Sequence, residues 1–165
     1  MECDSPGIEL VGEALPRGAD LAWLVDALGR CAQFLPAEVD RATIAFVTDA
    51  HMKGLHERFS RDPSTTDVLT FATNEPGRAI ECDIAVCVDE ASRRAAELGH
   101  TTRQELLLYA LHGLLHACGY DDLDPAAHAA MHAEEDRILV AAGIGPIFSP
   151  DQPARNHRDS KGPAQ

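Results

Sequence analysis

Apolar positions along the chain alternate between two spacings. Ile8-Glu9-Leu10-Val11 alternates weakly and predicts a short first strand. From Asp20, residues Leu21, Leu24, Val25, Leu28, Cys31, Ala32 and Leu35 recur with helical period, and Pro36 stops them. The compact β-rich run from Thr43 to Thr48 predicts a buried strand. Asp49 is the expected cap of a short helix reaching about Phe59, with Met52, Leu55 and Phe59 on one face. Asp62 to Thr66 has loop chemistry, and Asp67 to Phe71 reads as the next strand, ended by Asn74-Glu75-Pro76-Gly77. Cys82 to Val88 predicts a fourth strand, and Asp89 is the expected cap of a helix over 90–98 that ends at Gly99.

Thr102-Arg103-Gln104-Glu105 fits a capping box opening the next helix. Its Leu106, Leu107, Tyr109, Ala110, Leu111, Leu114 and Leu115 are apolar almost all round, which predicts a central buried helix. Asp124 as cap and Pro125 at the first helical position open a last helix to about Ala142, followed by Gly143. This order predicts an α+β fold: one domain over residues 1–149, a mixed sheet of about four strands and about five helices, and a disordered tail over 150–165.

Composition narrows the class. No apolar run approaches the roughly 20 residues of a membrane span, and the acidic start of the chain lacks the apolar core of a secretory signal. The five cysteines are odd in number, scattered and without a CxxC pair, which points to reduced thiols in a cytoplasm. A formal charge of −13 argues against broad nonspecific nucleic-acid binding. Residues 51–72 are net neutral in this acidic chain, with Lys53, Arg58 and Arg61, so an anionic substrate would be met there.

The chemistry concentrates in His112-Gly113-Leu114-Leu115-His116-Ala117-Cys118-Gly119-Tyr120-Asp121-Asp122. Two histidines four apart on a helix lie about 40° apart around its axis, so both imidazoles leave one face. Gly119 suits the left-handed residue that ends a helix, and a turn after it would carry Asp121 and Asp122 back towards the pair. Two imidazoles and a carboxylate make a three-ligand metal set with a fourth position for water. His112, His116 and Asp122 are the expected ligands of one ion; Asp124 and His128 are the rival third ligands, the first better explained as a cap and the second as an exposed helical histidine.

At these residues the chain resembles the YbeY family of bacterial endoribonucleases, the rRNA maturation factors. The family hallmark H-G-x-L-H-x-x-G-Y-D-H is met by His112 to Asp122, and its T-D-V-L-S-F and G-D-I strands by Thr66 to Phe71 and Cys82 to Ile84. A further family pattern, L-N-x-x-Y-R, falls on Leu55 to Ser60, and three departures from the family bear on the reading. Asp122 stands where the family has its third histidine, Ser60 where it has an arginine, and Cys82 where it has a glycine.

The resemblance implies a zinc-dependent endoribonuclease acting on single-stranded RNA, at the 3′ end of 16S rRNA and in ribosome quality control, with a small-subunit ribosomal protein as a further partner. Within that reading Arg61 or Arg58 would neutralise the scissile phosphate and Asp121 would orient a ligand. The harder oxygen of Asp122 also admits Mn²⁺ or Fe²⁺ beside Zn²⁺. The alternative is a non-catalytic ribosome-assembly module with a structural or degenerate metal site. A metalloprotease is disfavoured because the general base of H-E-x-x-H is replaced by Gly113; an iron oxygenase is disfavoured by its different ligand spacing.

Overall fold

The computed structural model describes residues 7–60 and 66–147. Four strands, β1 (Ile8–Val11), β2 (Val39–Val47), β3 (Val68–Ala72) and β4 (Ile80–Cys87), form one sheet in the order β1-β2-β4-β3. β1 and β4 run parallel to β2, whereas β3 runs antiparallel to β4. The sheet is therefore mixed and the fold is α+β, as the pattern predicts. The helices are α1 (Gly18–Ala32), α2 (Asp49–Ser60), α3 (Val88–Leu98), α4 (Thr102–Ala117) and α5 (Pro125–Ala141).

Alternation along the strands divides the apolar side chains between two faces. Ala42, Ile44 and Phe46 of β2 join Cys82, Ile84 and Val86 of β4 in the main core, with Leu24 and Leu28 of α1, α4, and Met131, Ile138 and Leu139 of α5. The other face carries Val47, Leu69, Ala85 and Cys87, covered by Met52 of α2. α4 and α2 thus take opposite faces of the sheet. Every α4 residue from Glu105 to Leu115 is buried, so the motif helix is the central one, as expected.

Several boundaries differ from the expected ones, each for a local reason. β2 begins at Val39 because pairing with Ile80 starts there, although exposed Asp40 and Arg41 hide the strand in the sequence. Val88 opens α3 instead of closing β4. The capping box lies one residue earlier than expected, with Gln104 N donating to Thr101 Oγ1 (3.3 Å) and Thr101 N donating to Gln104 Oε1 (2.9 Å). Glu105 is then left to turn inward, where its Oε1 lies 3.0 Å from His100 Nδ1.

Thr48, not Asp49, caps α2: its hydroxyl accepts from His51 N at 3.3 Å. Asp89 caps no helix of its own, since its carboxylate accepts from Asp49 N (2.7 Å) on α2. The expected tail from residue 150 and the expected phosphate contact of Arg61 lie outside the described residues.

A candidate metal centre on the central helix

α4 ends as the glycine predicts. Gly119 adopts φ 105, its N–H donates to His116 O (3.0 Å), and Tyr120 N donates to Leu115 O (3.1 Å). The chain reverses there, and Asp121 holds the turn by accepting from Leu123 N at 3.2 Å. Asp122 comes back over the histidine face, with Oδ2 3.5 Å from His112 Nε2 and Oδ1 3.9 Å from His116 Nε2. The two Nε2 atoms are 3.1 Å apart, and the rings meet edge to face at 84°. A tetrahedral zinc ion with bonds of about 2.0–2.1 Å separates its ligand atoms by about 3.3 Å. The two nitrogens are close to that spacing, and the carboxylate needs to approach by a few tenths of an ångström to complete it.

The tautomers strengthen this fit. His116 Nδ1 lies 3.0 Å from the Tyr120 carbonyl, which can only accept, so Nδ1 carries the proton. His112 Nδ1 lies 2.8 Å from Glu135 Oε1 and is fixed in the same way. Both imidazoles then present Nε2 lone pairs to each other and to a carboxylate, an arrangement that needs a positive charge in its midst. In the metal-free chain a proton meets that need. Burial alone would push His112 down, yet its bonds to Asp122 and Glu135 lift it to about 9. Burial would raise Glu135, but its bonds to His112 and His132 hold it well below the usual carboxylate range. A divalent cation would take the place of the proton.

Gly113 sets how α4 meets the sheet. A Cβ at this position would come 2.8 Å from Ile84 Cδ1, 2.9 Å from Ile84 Cγ2 and 3.0 Å from Thr70 Oγ1. Any side chain at this position would have to displace Ile84 and Thr70.

Of the predicted residues, the structure brings together His112, His116 and Asp122. Asp121 is exposed and serves the turn. Arg58 is exposed in the last turn of α2, the helix on the face of the sheet opposite α4, with its guanidinium 5.5 Å from the Phe59 ring centroid. Of the rival ligands, Asp124 is the N-cap of α5, accepting from Ala127 N at 2.8 Å. His128 is only half exposed and faces His132, its Nε2 2.9 Å from that of His132.

Sequence reasoning missed Glu135, the carboxylate behind His112. The buried stripe of α5 is Met131, His132, Glu135, Ile138 and Leu139, and two ionisable residues on such a stripe are the signal that could have found it.

The chain is similar to known proteins over most of its length. A family model for Endoribonuclease YbeY matches residues 21–143. The Endoribonuclease YbeY of Synechococcus sp. is 36% identical over 128 residues, covering 73% of this chain and 80% of its own. That of Mycolicibacterium paratuberculosis is 31% identical over 146 residues, covering 79% of this chain and 82% of its own. The solution structure of a Thermotoga maritima protein aligns with a TM-score of 0.61 at 23% identity, over 89% of this chain and 99% of that one, and supports the fold.

Proposed function

The chain belongs to the Endoribonuclease YbeY family, and from that premise we propose that it is a zinc-dependent endoribonuclease that cuts single-stranded RNA. Its setting in this reading is maturation of the 3′ end of 16S rRNA and ribosome quality control in the cytoplasm, with a small-subunit ribosomal protein as partner. The observation that carries it is the convergence of two lone-pair imidazole nitrogens and one carboxylate, all within 4.8 Å of one another.

A bound Zn²⁺ supplies Lewis acidity and lowers the pKa of its water towards ~7. His112, His116 and Asp122 hold it. Glu135 and the Tyr120 carbonyl fix the two imidazoles in the ligating tautomer. Asp121 keeps the turn that delivers Asp122. Arg61 is the proposed contact to the scissile phosphate, standing in for the arginine that Ser60 replaces, and Arg58, on the face of the sheet opposite α4, is proposed to meet RNA away from the site. Asp122 makes the site harder and more anionic than three imidazoles would, so Mn²⁺ or Fe²⁺ is accepted as well.

The test is metal analysis of the purified protein, then cleavage of a single-stranded RNA with and without chelator. Cleavage should vanish with chelator and with His116→Ala while far-UV circular dichroism stays unchanged. Cleavage that survives both treatments sinks the reading. An intact metal-loaded protein that never cuts RNA favours the assembly-module alternative, which the substitution at Ser60 motivates.

A further inference from the structure

The arrangement at His112 and His116 occurs a second time. His128 and His132 are also four residues apart on a helix, here α5. Their rings also meet edge to face, at 82° with centroids 4.2 Å apart, and their Nε2 atoms also converge, at 2.9 Å. The anchor is the same residue. Glu135 Oε2 lies 3.0 Å from His132 Nδ1 while its Oε1 lies 2.8 Å from His112 Nδ1. The ionised carboxylate can only accept, so His132 carries its proton on Nδ1 and turns an Nε2 lone pair towards His128. Asp136, one turn beyond His132, has Oδ1 buried with no hydrogen-bond partner.

We propose that His128 and His132 form a second transition-metal site, built on α5 and oriented by the carboxylate that orients the first. Two imidazoles suit Zn²⁺, Co²⁺, Ni²⁺ or Cu²⁺, with water completing the shell. Having only two protein ligands, the site is the weaker of the two. Both Glu135 oxygens are occupied, one by each histidine pair, so a single side chain sets the ligating tautomer at both ions. The site exists whether or not RNA is the substrate of the first.

The experiment titrates the chelator-stripped full chain with Zn²⁺ and counts bound ions by equilibrium dialysis and mass spectrometry. Wild type should bind two ions per chain, the second more weakly. His128→Gln, on the half-exposed side of the pair, should bind one ion, and so should His132→Gln. His116→Ala should lose the tighter ion and keep the weaker one, so failure at the first site is told apart from failure at the second. Glu135→Gln should weaken both ions by at least ~10-fold.

One ion in wild type would mean that the two imidazoles merely hydrogen-bond to each other, and would overturn the proposal. Two ions in wild type and still two in both glutamine variants would overturn it as well. Weakening of the first ion alone in Glu135→Gln would refute the shared carboxylate.

Discussion

Gly113 shows how one missing side chain shapes the site. Alanine there would gain up to ~1 kcal/mol of helix propensity. Against that, its Cβ would meet Ile84 at 2.8 Å and Thr70 at 3.0 Å in a packed interior, and overpacking of this kind typically costs ~1–3 kcal/mol. Gly113→Ala should therefore lower the midpoint of urea unfolding, and adding Ile84→Val, which removes Cδ1, should recover part of the loss. An unchanged midpoint would show that the sheet yields locally. Asp122 is the position where ligand chemistry differs most from the family pattern. Asp122→Ala should weaken Zn²⁺ by at least ~10-fold, more than ~1.4 kcal/mol. Asp122→His should bind Zn²⁺ as well as the native chain or better, in competition with a chromophoric chelator.

At the scale of elements, α2 and α3 are tied by charge. Asp49 receives two bonds from Arg93, at 2.7 and 2.8 Å, and these pull its carboxyl down to about 2 from an ordinary 3.8. A depressed folded pKa stabilises the protein fully above pH ~4, and the contribution fades as pH falls towards 2. Asp49→Asn should lower thermal stability at neutral pH and flatten its fall between pH 4 and 2; an unaltered acid limb would mean that the pair contributes nothing. The existence and order of the elements were legible in the sequence because each carries its own apolar period. Their ends were not, since both Thr101 with Gln104 and Thr102 with Glu105 satisfy the same capping pattern. Only burial of Glu105 against His100 decides between them. The convergence of the two histidines was legible from helical spacing and that of Asp122 from the glycine turn, whereas Glu135 was not. It lies 23 residues from His112 and on a different helix, a contact that packing creates and local spacing cannot express.

For the whole molecule, the proposed metal centre joins parts that the core already holds. α4 is buried among aliphatic side chains along nearly its full length, so the fold is expected to stand without an ion. A bound cation adds to stability by mass action, about 2.7 kcal/mol at a free concentration 100 times Kd. Chelation should lower Tm and leave the far-UV spectrum native, and Zn²⁺ should restore Tm with a logarithmic dependence on its concentration. Loss of secondary structure on chelation would make the ion part of the fold itself. The chain also remains strongly acidic, at −13, and no described helix is long and apolar enough to cross a membrane. Arg58→Glu with Arg61→Glu should weaken RNA binding and flatten its salt dependence; an unchanged salt slope would remove residues 51–72 from the RNA-binding surface.

The turn after α4 governs more than the position of Asp122. Two of the proposed ligands stand on the deeply buried α4, and the third hangs on a short reversal held by Gly119, Tyr120 and Leu123 amide bonds. An ion leaving the site need not disturb α4, because opening that reversal is enough. Release should therefore run at the rate of local opening, far faster than global unfolding. Hydrogen exchange would show it directly: Zn²⁺ should slow exchange at the Gly119, Tyr120 and Leu123 amides while those in the middle of α4 keep their metal-free rates.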